Sequence, residues 1–153
     1  MTRADKAEQL FREGYNCSQS VFGAFTDVTG LDLETAMRHA SPFGAGFGKL
    51  REVCGAVSGM TMVAGYAAGY SDPTDREGKI ATYHLIQEMA AEFEKRQGTI
   101  ICRDMLKLKP GEDLPEPAIR TEEYYRSRPC IRAVRDAAEI VEMFLLNREE
   151  GQE

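Results

Sequence analysis

The chain has 153 residues, with 25 acidic against 19 basic side chains and a formal net charge of −6. That length suits one domain with a real core, and the acidic balance argues against nucleic acid as the partner, because phosphate binding needs clustered Lys and Arg. The acidic residues are also dispersed, so no charge block marks an interaction tail.

Helical periodicity runs through nearly the whole sequence and strand signals are scarce. A first helix is predicted from about Thr2 to Glu13, with Ala4, Ala7, Leu10 and Phe11 on one face and Gly14 past its end. This N-terminal stretch lacks the apolar core of a signal peptide. The expectation is therefore a cytoplasmic protein whose thiols are kept reduced. Asn16 reads as the cap of a second helix, with Gln19 completing a capping box, and Cys17, Val21, Ala24, Phe25 and Val28 form its stripe. Asp32 caps a short third helix, LETAMRHA, closed by Pro42, and the glycine-rich FGAGFGKL follows.

Everything else is arranged around the uncharged stretch from Val53 to Tyr70, VCGAVSGMTMVAGYAAGY. Its length touches the threshold for a membrane span. It is poor in Leu, Ile and Phe, however, and the chain's mean hydropathy is −0.41, so a buried central helix starting around Lys49 to Val53 is expected and no membrane insertion. Gly55 and Gly59 share one helix face, as do Gly65 and Gly69. Glycine costs a helix roughly 1 kcal/mol relative to alanine, so four of them point to close approach by other backbones or by a cofactor. Gly55, Ala56 and Gly59 are the candidates for that approach.

Ser71-Asp72-Pro73 ends this helix and opens the next, with proline at the first helical position and Ile80, Tyr83, Ile86, Ala90 and Phe93 as its stripe. Gly98 terminates it, and Thr99 is placed to cap the short helix ICRDMLK. Residues 108–128, with Pro110, Pro115 and Pro117, read as an irregular loop packed over the body. A last helix runs from Pro129 to about Arg148, with Cys130, Val134, Ala137, Val141, Phe144 and Leu145 as its stripe. With no repeat or linker, residues 1–153 form one all-α domain, a compact helical bundle around the Gly/Ala-rich helix.

The cysteines stand at 17, 54, 102 and 130, with no Cys-x-x-Cys pair. Zinc-ribbon, thioredoxin and c-type haem spacings are therefore absent. Position on the predicted helices is more informative: Cys17, Cys102 and Cys130 fall in first turns, and Cys54 stands at the entrance of the central helix. Unpaired N–H groups and the positive end of the helix dipole gather there and favour thiolate, the form that binds metal or attacks disulfides. Arg51, Arg103, Arg128 and Arg132 lie within three residues of a cysteine and suit charge compensation. The glycines of Gly44-x-Gly46-x-Gly48 lack the preceding strand and the Gly-Lys-Ser/Thr ending of a P-loop, so packing around Cys54 is their expected role. His39 and His84 are expected at the surface or in the core rather than as ligands.

Gly14-Tyr15-Asn16-Cys17, then Cys54-Gly55-Ala56-Val57-Ser58-Gly59, then isolated Cys102 and Cys130, together with the FGAGFG lead-in, resemble the C_GCAxxG_C_C family of small redox-active proteins. The resemblance covers about Ala4 to Val141. It departs at Arg51-Glu52-Val53, where the family pattern is small and glycine-rich. The family is associated with oxidoreductase or transport functions and is similar to part of a cytochrome that carries an iron–sulfur cluster. The resemblance makes Cys17, Cys54, Cys102 and Cys130 the candidate metal site.

The leading expectation is a redox protein binding a [2Fe–2S] or [4Fe–4S] cluster through these four thiolates, with zinc as the alternative metal. Its role would be electron transfer or service to an oxidoreductase partner. A metal-free thiol–disulfide oxidoreductase is the first alternative, with Cys54 attacking and Cys17 as the paired thiol. The second is a structural or dimerisation module whose cysteines are buried, the glycine face suiting a homodimer contact.

Overall fold

A computed structural model describes residues 1–147, so the predicted end of the last helix near Arg148 lies outside the described residues. The described residues are mainly helical and contain no sheet, as the periodicity requires. Helix α1 (Arg3–Arg12) opens on a capping box between Thr2 and Asp5 and buries Ala4, Ala7, Leu10 and Phe11. Helix α2 (Cys17–Gly23) opens on a second one, in which Asn16 and Gln19 each accept the other's backbone N–H. The apolar run beyond it does not continue as one helix. It breaks at Ala24–Phe25, resumes as α3 (Thr26–Thr29), and ends on left-handed Gly30.

Asp32 precedes α4 (Leu33–Ala40) but makes no side-chain cap hydrogen bond. A 3₁₀ turn at Ser41–Phe43 leads into α5 (Gly44–Phe47), where Ala45 and Gly46 have left-handed dihedrals. The left-handed run extends through Phe47, Gly48 and Lys49 and recurs at Arg51, and it delays the central helix. That helix, α6 (Gly55–Ala68), therefore begins after Cys54 rather than between Lys49 and Val53.

Pro73 is not the first residue of α7 (Arg76–Gln97). The Asp72 carboxylate instead closes a turn by accepting from the Thr74 N–H and hydroxyl, and Asp75 caps the helix at Gly78. The stripe of α7 is also rotated: Leu85, Met89 and Phe93 are buried, whereas Ile80 and Tyr83 are exposed where the first turns run beyond the core. Helix α8 (Cys102–Met105) has Ile101 at its cap, and Thr99 accepts from the Ile101 N–H instead of capping the helix itself. The stretch read as an irregular loop contains α9 (Glu122–Ser127), nucleated by Thr121 accepting from the Tyr124 N–H. Helix α10 (Cys130–Val141) loosens into a π turn at Glu142–Leu146 that the stripe did not signal.

The core is one cluster in which Phe11, Phe22, Phe25, Met60, Met89, Phe93 and Ile140 are all buried. The most extensive packing joins α2 to α6 and α1 to α10. No helix among the described residues is long and apolar enough to cross a membrane.

The two glycine pairs of α6 behave differently. A Cβ at Gly59 would stand 2.8 Å from the Ser18 carbonyl oxygen and 3.0 Å from Val21 Cβ, so this face lies against the backbone of α2. At Gly65 a Cβ would meet nothing within 4 Å. Gly59→Ala is therefore expected to destabilise the protein by about 1–3 kcal/mol through overpacking, whereas Gly65→Ala should stabilise it by up to about 1 kcal/mol. Thermal melts of the two variants check this, and equal shifts would refute the packing assigned to α6.

Candidate functional site

The four cysteines begin four different helices. Cys17, Cys102 and Cys130 are the first residues of α2, α8 and α10, and Cys54 is the N-cap of α6. All four line a single cavity of about 340 Å³, although long stretches of chain separate them. The size lies at the lower end of the range for small-ligand pockets.

Three local devices bring the thiols together. Val53 and Ile101 form an isolated antiparallel bridge. In it the Cys54 N–H donates to the Ile100 carbonyl and the Cys102 N–H to the Glu52 carbonyl, both at 2.7 Å, so two cysteines share one short pairing. Gly55 brings α6 against the start of α2: a Cβ there would stand 3.1 Å from Cys17 Cβ and 3.0 Å from the Ser18 nitrogen. Gly46, with φ of +74°, does the same on the opposite side, where a Cβ would meet both Cys102 Cβ and Arg51 Cα at 2.7 Å.

The left-handed stretch carries two cations inward. Ala45, Phe47, Lys49 and Arg51 have φ between 55° and 73°, a conformation that costs an L-residue about 1–2 kcal/mol. Arg51 is only 4% exposed. Its guanidinium donates to Cys102 Sγ at 3.5 Å and grips the Asp113 carboxylate at 2.6 and 3.2 Å. Those hydrogen bonds pull the Asp113 carboxyl down to about 2. Lys49 lies 3.5 Å from the same carboxylate and donates to the carbonyls of Leu114 and Glu116. The 108–121 segment is thereby strapped across the cavity, with Pro115 and Pro117 in its wall. Arg120 anchors the far end by donating to the carbonyls of Phe11 and Tyr15 at 2.7 and 2.9 Å. It stacks 4.3 Å from the Phe11 ring, and Arg128 stacks 4.4 Å from that of Tyr124.

The thiols ionise unequally. A hydrogen bond donated by Cys17 lowers the Cys130 thiol to about 7, with help from Arg128, Arg120 and Arg51 against the opposing effect of burial. The same hydrogen bond and burial hold Cys17 well above its ordinary value. Burial pushes Cys54 up to about 12, although the amides of Ala56 and Val57 and the charge of neighbouring thiols also act on it. Burial likewise raises Cys102, against the pull of Arg51. Cys54 is thus a protonated thiol near neutral pH, and the activated sulfur expected there is at Cys130.

The packing places the remaining residues singled out in the sequence. Gly55 lines the cavity, but Gly59 faces α2 and leaves no space for a cofactor, and Ala56 is buried. Of the four arginines near cysteines, Arg51 and Arg128 line the cavity, whereas Arg103 donates to the Leu50 carbonyl and Arg132 is exposed. Arg120, Lys49, Asp113 and Tyr124 belong to the site and carry no local sequence signal. His39 and His84 are both exposed and do not line the cavity.

Among the described residues, no three His, Cys, Asp or Glu side chains stand close enough together to share one metal ion. Tetrahedral zinc with Zn–S bonds of about 2.3 Å needs sulfurs about 3.8 Å apart. Four cysteines from four elements surround the cavity, together with buried Arg51 and half-buried Lys49, Arg120 and Arg128.

The model of one protein family, described as "Putative redox-active protein (C_GCAxxG_C_C)", matches residues 15–144, a span that includes all four cysteines. No curated protein and no solved structure matches the chain.

In the metal-free, reduced protein, thiolate ultraviolet absorbance should show one thiol ionising near pH 7, with the other three following only at high pH. Cys17→Ala should move the first ionisation upward by removing the donor. The raised pKa values of Cys17, Cys54 and Cys102 contribute stability that is present below an ordinary value of 9.0 and lost as pH rises through the folded values. The contribution of Cys130 has the opposite sign and is lost as pH falls through about 7. Three thiols outweigh one, so chemical denaturation of the metal-free protein should show stability declining above pH 9.

Proposed function

The chain belongs to the C_GCAxxG_C_C family of redox-active proteins, and from that premise we propose that it holds an iron–sulfur cluster on Cys17, Cys54, Cys102 and Cys130 and acts in electron transfer. The observation that carries this reading is the convergence of all four thiols on one cavity. A bound cluster would accept and return single electrons there. The chain's own residues have distinct parts. The four thiolates bind, releasing protons that burial now holds on three of them. The amides of Ala56 and Val57 favour negative charge on Cys54, and Arg51 donates to Cys102. Arg120 and Arg128 offset negative charge beside Cys130. Pro115, Pro117 and Tyr124 wall the cavity, which raises the strength of every charge interaction inside it. The setting within an oxidoreductase system and a cytoplasmic location belong to the same proposal.

A second reading has its own support: Cys17 and Cys130 line the same cavity, and the neighbouring Cys17 thiol lowers that of Cys130. As a metal-free dithiol, the Cys130 thiolate would attack a disulfide RS–SR, forming Cys130–S–SR and releasing RS⁻. Cys17 would then displace the second RS⁻, leaving a Cys17–Cys130 disulfide, its proton passing to the thiolate released. Cys130 replaces Cys54 as attacker because it is the thiol that ionises near neutral pH.

Anaerobic purification should yield coloured protein containing iron and acid-labile sulfide, and Cys→Ser at any of the four positions should remove or strongly deplete both. Colourless protein with four titratable thiols, which mild oxidation converts to a single Cys17–Cys130 disulfide by mass spectrometry, would overturn the cluster in favour of the dithiol.

A further inference from the structure

A groove of about 540 Å³ opens beside the cysteine cavity, between the end of α8 and the junction of α9 with α10. Lys107, Arg126, Arg128 and Arg132 line it, and no Asp or Glu does. In a chain with a net charge of −6 this is a local reversal of sign. Arg126 pairs with Glu123 at 3.5 Å, but both side chains are about three-quarters exposed, so solvent screens that pair heavily. Among the described residues, Lys107, Arg128 and Arg132 form no salt bridge at all.

The groove is continuous with the site. Met105, Leu106, Arg128 and Pro129 line both it and the thiol cavity, and Cys130 follows Pro129 directly. A molecule seated over Arg128 is therefore next to the thiols without having to enter the cavity.

We propose that this groove docks the acidic surface of a small electron-transfer protein that exchanges electrons with the cysteine site, an inference that rests on the redox reading above. Charge complementarity carries it. An acidic partner is repelled by the net charge of the molecule as a whole and attracted here, so long-range forces orient it with this groove facing it. Lys107, Arg126 and Arg132 are exposed. Exposed cations speed encounters more than they strengthen complexes, which suits the small, short-lived interfaces of electron-transfer pairs. A small polyanion would have to gather these exposed side chains around itself at an entropic cost.

The test uses the full-length protein at low ionic strength, with an acidic plant-type ferredoxin and pyrophosphate as separate probes in NMR titrations. Ferredoxin should shift the amides of residues 105–108 and 126–132, and added salt should reverse the shifts. The double substitution Arg126→Glu, Arg132→Glu should weaken ferredoxin binding by on the order of ten-fold or more, with the circular dichroism spectrum unchanged because both side chains are exposed. Shifts elsewhere, no shifts, or shifts with pyrophosphate alone would overturn the acidic-protein partner. Stopped-flow oxidation of the reduced protein by hexacyanoferrate(III), which takes one electron per ion, separates the two claims. Its rate should fall as salt is added, and fall further in the double variant. A rate that rises with salt and ignores the substitutions would overturn the steering role of the groove. Ferredoxin docking without any electron loss to hexacyanoferrate(III) would overturn the redox reading while leaving the acidic partner in place.

Discussion

The backbone of α6 touches the backbone of α2, and the cysteine cavity depends on that contact. Where glycine stands at 55 and 59, a side chain would collide with Ser18, Val21 and Cys17. Removing the Cβ lets the two helices meet without that collision. Cys17 at the start of one helix thereby comes beside Cys54 at the start of the other. Gly46 repeats the device against Cys102. The glycines act on the thiols by letting elements approach: Gly46 and Gly59 lie against protein, and Gly55 also lines the cavity.

Charge burial imposes the second constraint. A guanidinium taken out of water is costly unless its donors are met, and Arg51 is met by the Asp113 carboxylate and the Cys102 sulfur. Because Asp113 comes from the proline-containing segment, satisfying Arg51 also ties that segment over the thiols. Lys49 reinforces the tie, and Arg120 fixes its other end to the α1–α2 corner. The left-handed residues that turn Lys49 and Arg51 inward are strained, and strain of this kind persists where the surroundings over-determine it, as functional sites do. The Arg51-Glu52-Val53 departure from a glycine-rich lead-in has a physical role here: it supplies the buried cation and one half of the bridge to Ile101.

Within the cavity, the same burial that raises Cys17, Cys54 and Cys102 leaves Cys130 ionisable, because Cys17 donates to it and three arginines act on it. Dipole arguments from helix position treat all four thiols alike. They are not alike: desolvation raises Cys54, and raises Cys102 even beside Arg51, whereas the Cys17 thiol and three arginines together outweigh it at Cys130.

Local order in the chain was sufficient for much of this. The 3.6-residue spacing of Ala4, Ala7, Leu10 and Phe11, the Asn16–Gln19 capping box and the uncharged central stretch are short-range signals, and each corresponds to a helix or cap in the structure. The same signals put Cys17, Cys102 and Cys130 at helix starts. The left-handed turn before α6, the break after α2 and the rotated stripe of α7 were not legible, since each is set by what packs against it. Nor were Arg120, Asp113 and Tyr124, which lie in a segment with no periodicity and reach the site only through long-range hydrogen bonds and stacking. Sequence alone determined that the protein is helical and that its four cysteines stand at helix starts, because helix propensity and capping belong to neighbouring residues. Tertiary structure alone decided that the four cysteines line one cavity and that their thiols ionise unequally, because desolvation and charge pairing depend on atoms that the chain order keeps far apart.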